Sequence, residues 1–194
     1  MIIKKLLLDL RTYFSIHWKN KTRFPECTLE SFVPKNTNID KGTVIKKNCF
    51  ISDEIKSIGK HVYIGDGTKI LNCSLIDNYS CISHDVKIGL DNHQLDGLSV
   101  NPKLNKMEKS SPIIIGADVL ISANVVIMSG LKLGHGCVIG AHSFVNQDIP
   151  PYAIFAGTPA KLIRYRFDDD EIQDRLRSKW WLKELEELKM NLKE

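Results

Sequence analysis

The 194-residue chain is poor in aromatic residues, which make up only 8% of it, and has no apolar run long enough to span a bilayer. The opening stretch MIIKKLLLDLRTYFSIHW comes nearest, but Asp9 and Arg11 interrupt it and no small-residue cleavage site follows. It reads as an amphipathic covering segment rather than an export signal. Charge of one sign is also scarce: 27 Lys and Arg against 23 Asp and Glu leave a net charge of +4, too even to point to nucleic acid. The 5 cysteines are odd in number and show no CxxC or other metal-ligand spacing. That excludes a disulfide framework and points to a reducing cytoplasm. With 43% hydrophobic and 26% charged residues, the composition is that of one soluble globular domain. Cations gather only at the start, where Lys4, Lys5, Arg11, Lys19, Lys21 and Arg23 face Asp9 alone before residue 24. Two readings stand here: a solvated helix face, or contact with an anionic surface such as the inner face of the membrane.

What the sequence has in plenty is a ruler of six. Aliphatic residues fall at Ile39, Ile45 and Ile51, then, after a slip of one residue, at Ile58, Ile64, Ile70, Ile76, Ile82 and Ile88. A second block runs Ile115, Ile121, Ile127, Leu133, Ile139, Val145. Small or β-branched residues often stand two places earlier, as at Thr43, Val62, Thr68, Ser80, Val86, Val119, Val125 and Cys137. Two inward residues separated by one outward residue make a short strand. The rest of each hexad is rich in Gly, Asn and Asp, which suits a turn with positive φ. A period of six fits neither an α-helix nor a hairpin meander.

Three such units close a triangular coil of about eighteen residues, and stacked coils bury one continuous aliphatic core. The expected fold is therefore mainly β: a parallel β-helix of about five coils. Cys49, Cys81 and Cys137 fall on or beside inner positions and read as small core filler. The expected organisation is an N-terminal cap segment over 1–36, the β-helix over 37–148 and a C-terminal arm and helix over 149–194. In that last part Ile172, Leu176, Trp180, Leu185, Leu188 and Leu192 recur at helical spacing, and Asp168 to Glu171 place negative charge at the helix start.

The ruler stops from 91 to 111, in a stretch that begins DNHQLDGLSVNP. Each doubling of loop length adds only about 0.6 kcal/mol, so stability neither forbids nor explains the excursion. Loops of this length in a compact domain are usually functional or disordered. His93 lies in it, whereas His84, His135 and His142 occupy turn positions of the repeat, His61 precedes a strand, and His17 belongs to the cap.

The hexad pattern resembles that of the hexapeptide-repeat acyltransferases, whose β-helix is left-handed. That hand comes from the resemblance, because the general preference of parallel crossovers is right-handed. NHQLDGLSVNP resembles the segment with the catalytic histidine in the branch that acetylates xenobiotics such as chloramphenicol and streptogramin, and many glycans. IPPYAIFAGTPAKLIRYRF and the later KWW resemble the tail of the same branch. The resemblance covers roughly residues 58–182. It implies a homotrimer with sites at subunit interfaces and acetyl-CoA as co-substrate, with no metal required. It makes His93 the general base, a role that fits a side chain titrating near neutrality. It puts Ala123 and Ala141 beside the pantetheine arm, Asn146 beside the same groove, and Lys161 and Arg164 at the phosphate end of CoA. Asp91 and Asp96 are candidates for orienting the imidazole or holding the acceptor. The chain departs at Leu120, where the family commonly has tryptophan, and at Asn101, where a histidine or aromatic residue is common.

The leading expectation is an O-acetyltransferase acting on a sugar hydroxyl of a surface polysaccharide or its precursor. An antibiotic O-acetyltransferase and an amino-sugar N-acetyltransferase are the rival enzymes. A γ-type carbonic anhydrase would need three histidines converging on a metal, and His84, His135 and His142 show no matching set. A non-catalytic scaffold is the remaining alternative.

Overall fold

The structure is a computed structural model that describes residues 14–16, 18–93, 95–101, 103–104 and 110–191. Most of the basic, apolar start (1–13) lies outside the described residues, together with His17 and Leu192.

Each hexad forms a strand of two to four residues with a turn after it, as the alternation requires. At Thr68-Lys69-Ile70 the outer two side chains are buried and the middle one is exposed. Every aliphatic residue of the ruler is buried except Ile39, which is half-buried against the core at the rod's beginning. Buried hydroxyls two places earlier are satisfied by the coil stacked above. Thr43 donates to the Gly59 carbonyl at 2.7 Å and accepts from the Val62 N–H at 3.1 Å. Ser80 does the same with Gly116 and Val119, at 2.8 and 3.2 Å. These small polar residues thus knit neighbouring coils without leaving an unpaired buried oxygen. Three residues ahead of many inner aliphatics the chain turns left-handed, at φ +57° for Asp85, +58° for Asp118 and +72° for Gly67. Asp and Asn tolerate that region, which is why they alternate with glycine there.

The coils stack into three parallel faces. The first face carries eight strands, from Thr28–Leu29 through Val44–Ile45, Tyr63–Ile64, Cys81–Ile82, Leu120–Ile121, Val138–Ile139 and Ala153–Gly157 to an antiparallel final strand, Ala160–Tyr165. The second holds five: Phe50–Ile51, Lys69–Ile70, Lys87–Leu90, Val126–Met128 and Phe144–Val145. The third also holds five, from Asn38–Ile39 to Lys132–Leu133. Two faces of five rungs agree with the expected number of coils, but the first face extends it to about seven turns. Thr28–Leu29 already pairs with Val44–Ile45, so the rod starts inside the segment expected to be cap, before residue 37. At the other end Ile149 bridges to Leu133, and Phe155 pairs with Ile139, beyond the expected boundary at 148. Both extensions lie off the ruler, which is why the period alone misses them.

Two further expectations are corrected. Cys137 is core filler and Cys49 packs half-buried against the core, but Cys81 takes the outward place between Ser80 and Ile82 and is exposed. The C-terminal region is not one helix. Asp169–Ser178 is helical and capped by Asp168, whose carboxylate accepts from the Glu171 N–H at 2.9 Å. Lys179 then turns left-handed at φ +45°, Trp180–Leu182 forms a 3-10 turn, and Leu185–Asn191 forms a second helix. The break brings Trp181 rather than Trp180 inward, where its ring stacks on His135 at a centroid distance of 4.3 Å.

Candidate active site

The triangular section gives the rod three corners, and each column of corner residues is different. The corner between the first and second faces is lined, coil by coil, by Lys47, Asp66, His84, Ala123 and Ala141. Large or charged side chains thus fill the lower part of this column, and methyl groups stand at its upper two coils, with Asn124 and His142 one place further along the turn. Ala123 and Ala141 sit on adjacent coils, joined where the His142 N–H donates to the Ala123 carbonyl at 3.0 Å. Among the described residues no hydrogen bond engages the N–H of Ala123 or of Ala141. A narrow amide-bearing arm could therefore lie along this corner and bond to backbone, so the site fits a pantetheine chain. The hairpin Ala153–Gly157/Ala160–Tyr165 ends at the same corner, where Thr158 Oγ1 donates to the His142 carbonyl at 3.1 Å. Lys161 lies opposite Ala156, one step from the tip, and Arg164 lies opposite Ile154, further from the corner. Both are exposed.

The corner between the second and third faces carries the excursion. The strand Lys87–Leu90 leads into Asp91, and the chain rejoins the rod at Ile113–Ile115. Buried Asn72, one coil below, fastens the return, with Nδ2 donating to the Ser110 carbonyl at 3.0 Å and Ser129 Oγ at 3.2 Å. Asn146 is exposed on this corner, two coils above the loop's root, so it stands across the second face from Ala123 and Ala141.

His93 is exposed within the loop, and its Nδ1 lies 3.0 Å from the Val100 carbonyl. A carbonyl can only accept, so Nδ1 must carry the proton, and a neutral ring then presents its lone pair at Nε2. That is the tautomer a general base needs. Asp91 and Asp96 are both exposed, and among the described residues neither hydrogen-bonds to His93, whose Nδ1 meets main chain. Sequence reading cannot see a backbone carbonyl as a partner. The carbonyl is itself held: the N–H of the same peptide unit, that of Asn101, donates to Ser99 Oγ at 3.1 Å. Asn101 then closes the turn, its Oδ1 accepting from the Lys103 N–H at 3.0 Å and its carbonyl from the Leu104 N–H at 2.9 Å.

The corner between the third and first faces is covered by the C-terminal arm. Asn78 Nδ2 donates to the Trp181 carbonyl at 3.0 Å, Tyr79 to the Lys183 carbonyl at 2.8 Å, and buried Lys60 to the Leu182 carbonyl at 2.8 Å. Lys41 and Lys60 both pair with Glu184, at 2.8 and 3.1 Å. His135 belongs to this corner, and its Nδ1 accepts from the Ala117 N–H at 2.9 Å. Burial lowers its pKa below the usual histidine value, although Asp77 opposes the shift. His84 and His142 lie on the first corner, so these three histidines do not converge on one point. Among the described residues no three His, Cys, Asp or Glu side chains are placed to hold a metal.

Residues 112–147 match the family model for bacterial transferase hexapeptide, six repeats. A probable macrolide acetyltransferase from Lysinibacillus sphaericus is 33% identical over 148 residues, which cover 69% of this chain and 80% of that protein. The chain belongs to the hexapeptide-repeat acetyltransferase family. Chloramphenicol acetyltransferase from Klebsiella aerogenes is 45% identical over 86 residues, and this family member spans only 41% of its length. Among solved structures, a hexapeptide-repeat acetyltransferase from Vibrio cholerae O1 biovar eltor, complexed with acetyl coenzyme A, is 28% identical. It superposes with a TM-score of 0.55 over 77% of this chain and 75% of that one. A galactoside acetyltransferase in complex with coenzyme A is 28% identical, with a TM-score of 0.52 over 78% of this chain and 70% of that one. The fold is the left-handed parallel β-helix that the resemblance implied. The right-handed preference arises from strand twist fed through long crossovers. Strands of mostly two or three residues joined by tight turns accumulate little twist, so that preference loses its grip here.

Proposed function

We propose that this chain transfers an acetyl group from acetyl-CoA to a hydroxyl of a sugar in a surface polysaccharide or its precursor. The observation that carries the reading is the imidazole of His93, locked by the Val100 carbonyl into the tautomer with a free Nε2. Nε2 takes the proton of the acceptor hydroxyl while its oxygen attacks the thioester carbonyl. The C–S bond breaks as the ester forms, and His93 returns the proton to the departing thiolate, leaving free CoA and neutral imidazole. Ala123 and Ala141 offer backbone N–H groups to the pantetheine arm, and Lys161 and Arg164 offer cations to its phosphates. Acetyl-CoA as donor is supported by family membership and by the acetyl-CoA held by the Vibrio cholerae neighbour.

A homotrimer completes this site. The loop with His93 and the corner with Ala123 and Ala141 stand at opposite edges of the second face, and no hydrogen bond joins them among the described residues. On the first face, the outward positions from Val44 through Tyr63, Cys81, Leu120 and Val138 to Ile154 form an uncharged stripe, which ends at Arg164 on the last strand. Such a stripe on a parallel face suits contact with a second copy.

A second reading, acetylation of an antibiotic hydroxyl, is favoured by the printed name of the Lysinibacillus sphaericus relative. One experiment separates the two: purified protein and acetyl-CoA offered to a panel of saccharides, macrolides and chloramphenicol, with released thiol as the readout. His93→Ala should lower turnover on the active acceptor by about 10²–10⁴-fold, the usual worth of a general base, with an unchanged melting temperature. Turnover equal to wild type in that variant overturns the mechanism.

A further inference from the structure

The N-terminal end of the rod carries a groove of about 470 Å³ that the acetyl-transfer chemistry does not use. Helical residues 18–23 form one wall and the segment 32–35 the other. The two walls are tied together. Asn20 Nδ2 donates to the carbonyls of Leu29 and Ser31 at 3.2 and 2.8 Å. The Arg23 guanidinium donates to the carbonyls of Val33, Pro34, Lys35 and Thr37, at 3.0 to 3.3 Å. The groove is therefore preformed. Its edges leave two large aromatics in water, Trp18 at 77% exposure and Phe32 at 58%. Lone exposed apolar residues need no explanation, but two exposed aromatics on facing walls of one apolar groove mark a surface that meets something.

The charge is equally one-sided. Lys19, Arg23 and Lys35 line the groove, and among the described residues no carboxylate does. Among the described residues neither Lys19 nor Lys35 has an acidic partner, and Glu30, which follows the first strand, is paired with Lys46 at 3.0 Å. The adjoining groove across Phe32 carries Asp53 and Glu54, which confines the cationic character to the rod's end. Tryptophan and phenylalanine beside unpaired lysines match the interface of a bilayer, where rings enter the headgroup layer and ammonium groups meet lipid phosphate.

We propose that this end of the rod docks on the surface of an anionic lipid bilayer, with Trp18 and Phe32 entering the interface and Lys19 and Lys35 facing the phosphates. The His93 loop leaves the coil three rungs above the first strand, so docking would hold it on the order of 15 Å above the surface, at about 4.8 Å per rung. This contact is independent of the chemistry assigned to His93.

The test uses the full chain, without substrates, and vesicles of either phosphatidylcholine alone or an equal mixture with phosphatidylglycerol. Co-sedimentation is expected with the anionic vesicles, to weaken with added salt, and to be absent with the neutral ones. Trp18→Ala and Phe32→Ala should each weaken binding on the order of tenfold, and Lys19→Gln and Lys35→Gln about fivefold each. Melting curves verify that each variant is folded, and Trp18 emission gives a second readout: a blue shift on vesicles that Trp18→Phe abolishes. Failure of the wild type to bind anionic vesicles overturns the proposal. So does wild-type binding by the Trp18→Ala/Phe32→Ala variant, or a blue shift that survives Trp18→Phe. Self-association lost in that double variant, without vesicle binding, would make the groove a protein contact and equally overturn it.

Discussion

Replacing Asn101 with alanine should slow acetyl transfer about two- to tenfold while leaving the Michaelis constant for acetyl-CoA unchanged. The His93 ring is held by one hydrogen bond, from Nδ1–H to the Val100 carbonyl at 3.0 Å. The peptide unit bearing that carbonyl is fixed on its other side by the Asn101 N–H on Ser99 Oγ. The Asn101 side chain contributes a single further bond, Oδ1 to the Lys103 N–H at 3.0 Å. One neutral hydrogen bond in an exposed turn is worth about 0.5–1.5 kcal/mol, which is the population of correctly turned loop that alanine would forfeit. The base itself remains, so the loss should appear in turnover and not in donor binding. Asn101→Asp retains the accepting oxygen and should recover most of the rate. Initial rates at saturating donor, across pH, make the measurement. Full turnover in Asn101→Ala, or an Asn101→Asp variant as slow as the alanine, would refute the chain of support from Asn101 through Val100 to His93.

Three other outcomes follow from the packing of the rod. Ala141→Leu fills the open corner, so the Michaelis constant for acetyl-CoA should rise by about an order of magnitude with little loss of stability, read from donor titrations and melting curves. Ile82 is fully buried, and Ile82→Ala should cost about 2–5 kcal/mol in denaturant unfolding, against about 0.5–1.5 for Ile82→Val. His135 has a folded-state pKa below its usual value of 6.5, so its contribution to stability is complete above that pH and is lost as pH falls through the lowered value. Melting temperature should therefore drop on the acid side of 6.5, and His135→Asn should flatten that drop.

The rod was legible because a six-residue period leaves a mark at every coil: the aliphatic ruler named the inner column, with Ile39 at the rod's beginning only half-buried. Its ends were not. Leu29 and Phe155 pack into the same core without six-residue neighbours on both sides, and only strand pairing reveals them. The break at Lys179 escaped for a different reason. Leu176, Trp180 and Leu185 satisfy a helical spacing, but stacking of Trp181 on His135 and the carbonyl bonds to Asn78 and Lys60 outweigh local propensity. At the candidate site the side chains of interest could be picked out singly, yet their placement at three corners could not. The partner of His93 is a main-chain oxygen, and residue identity leaves no trace of where a backbone carbonyl points.

The strap along the third corner has a consequence for how this rod could change its length. β-helices grow by gaining a whole coil, a step that a continuous aliphatic core accepts readily. Here one short peptide, Trp181 to Glu184, is held at once by His135, Asn78, Lys60 and Lys41, which belong to separate storeys of the stack. An extra storey between Lys41 and His135 would move one set of these anchors by about 4.8 Å relative to the other, beyond the reach of any hydrogen bond. The tail is thus a gauge laid against the rod, and an added coil would leave its anchors in register only outside the stretch from Lys41 to His135.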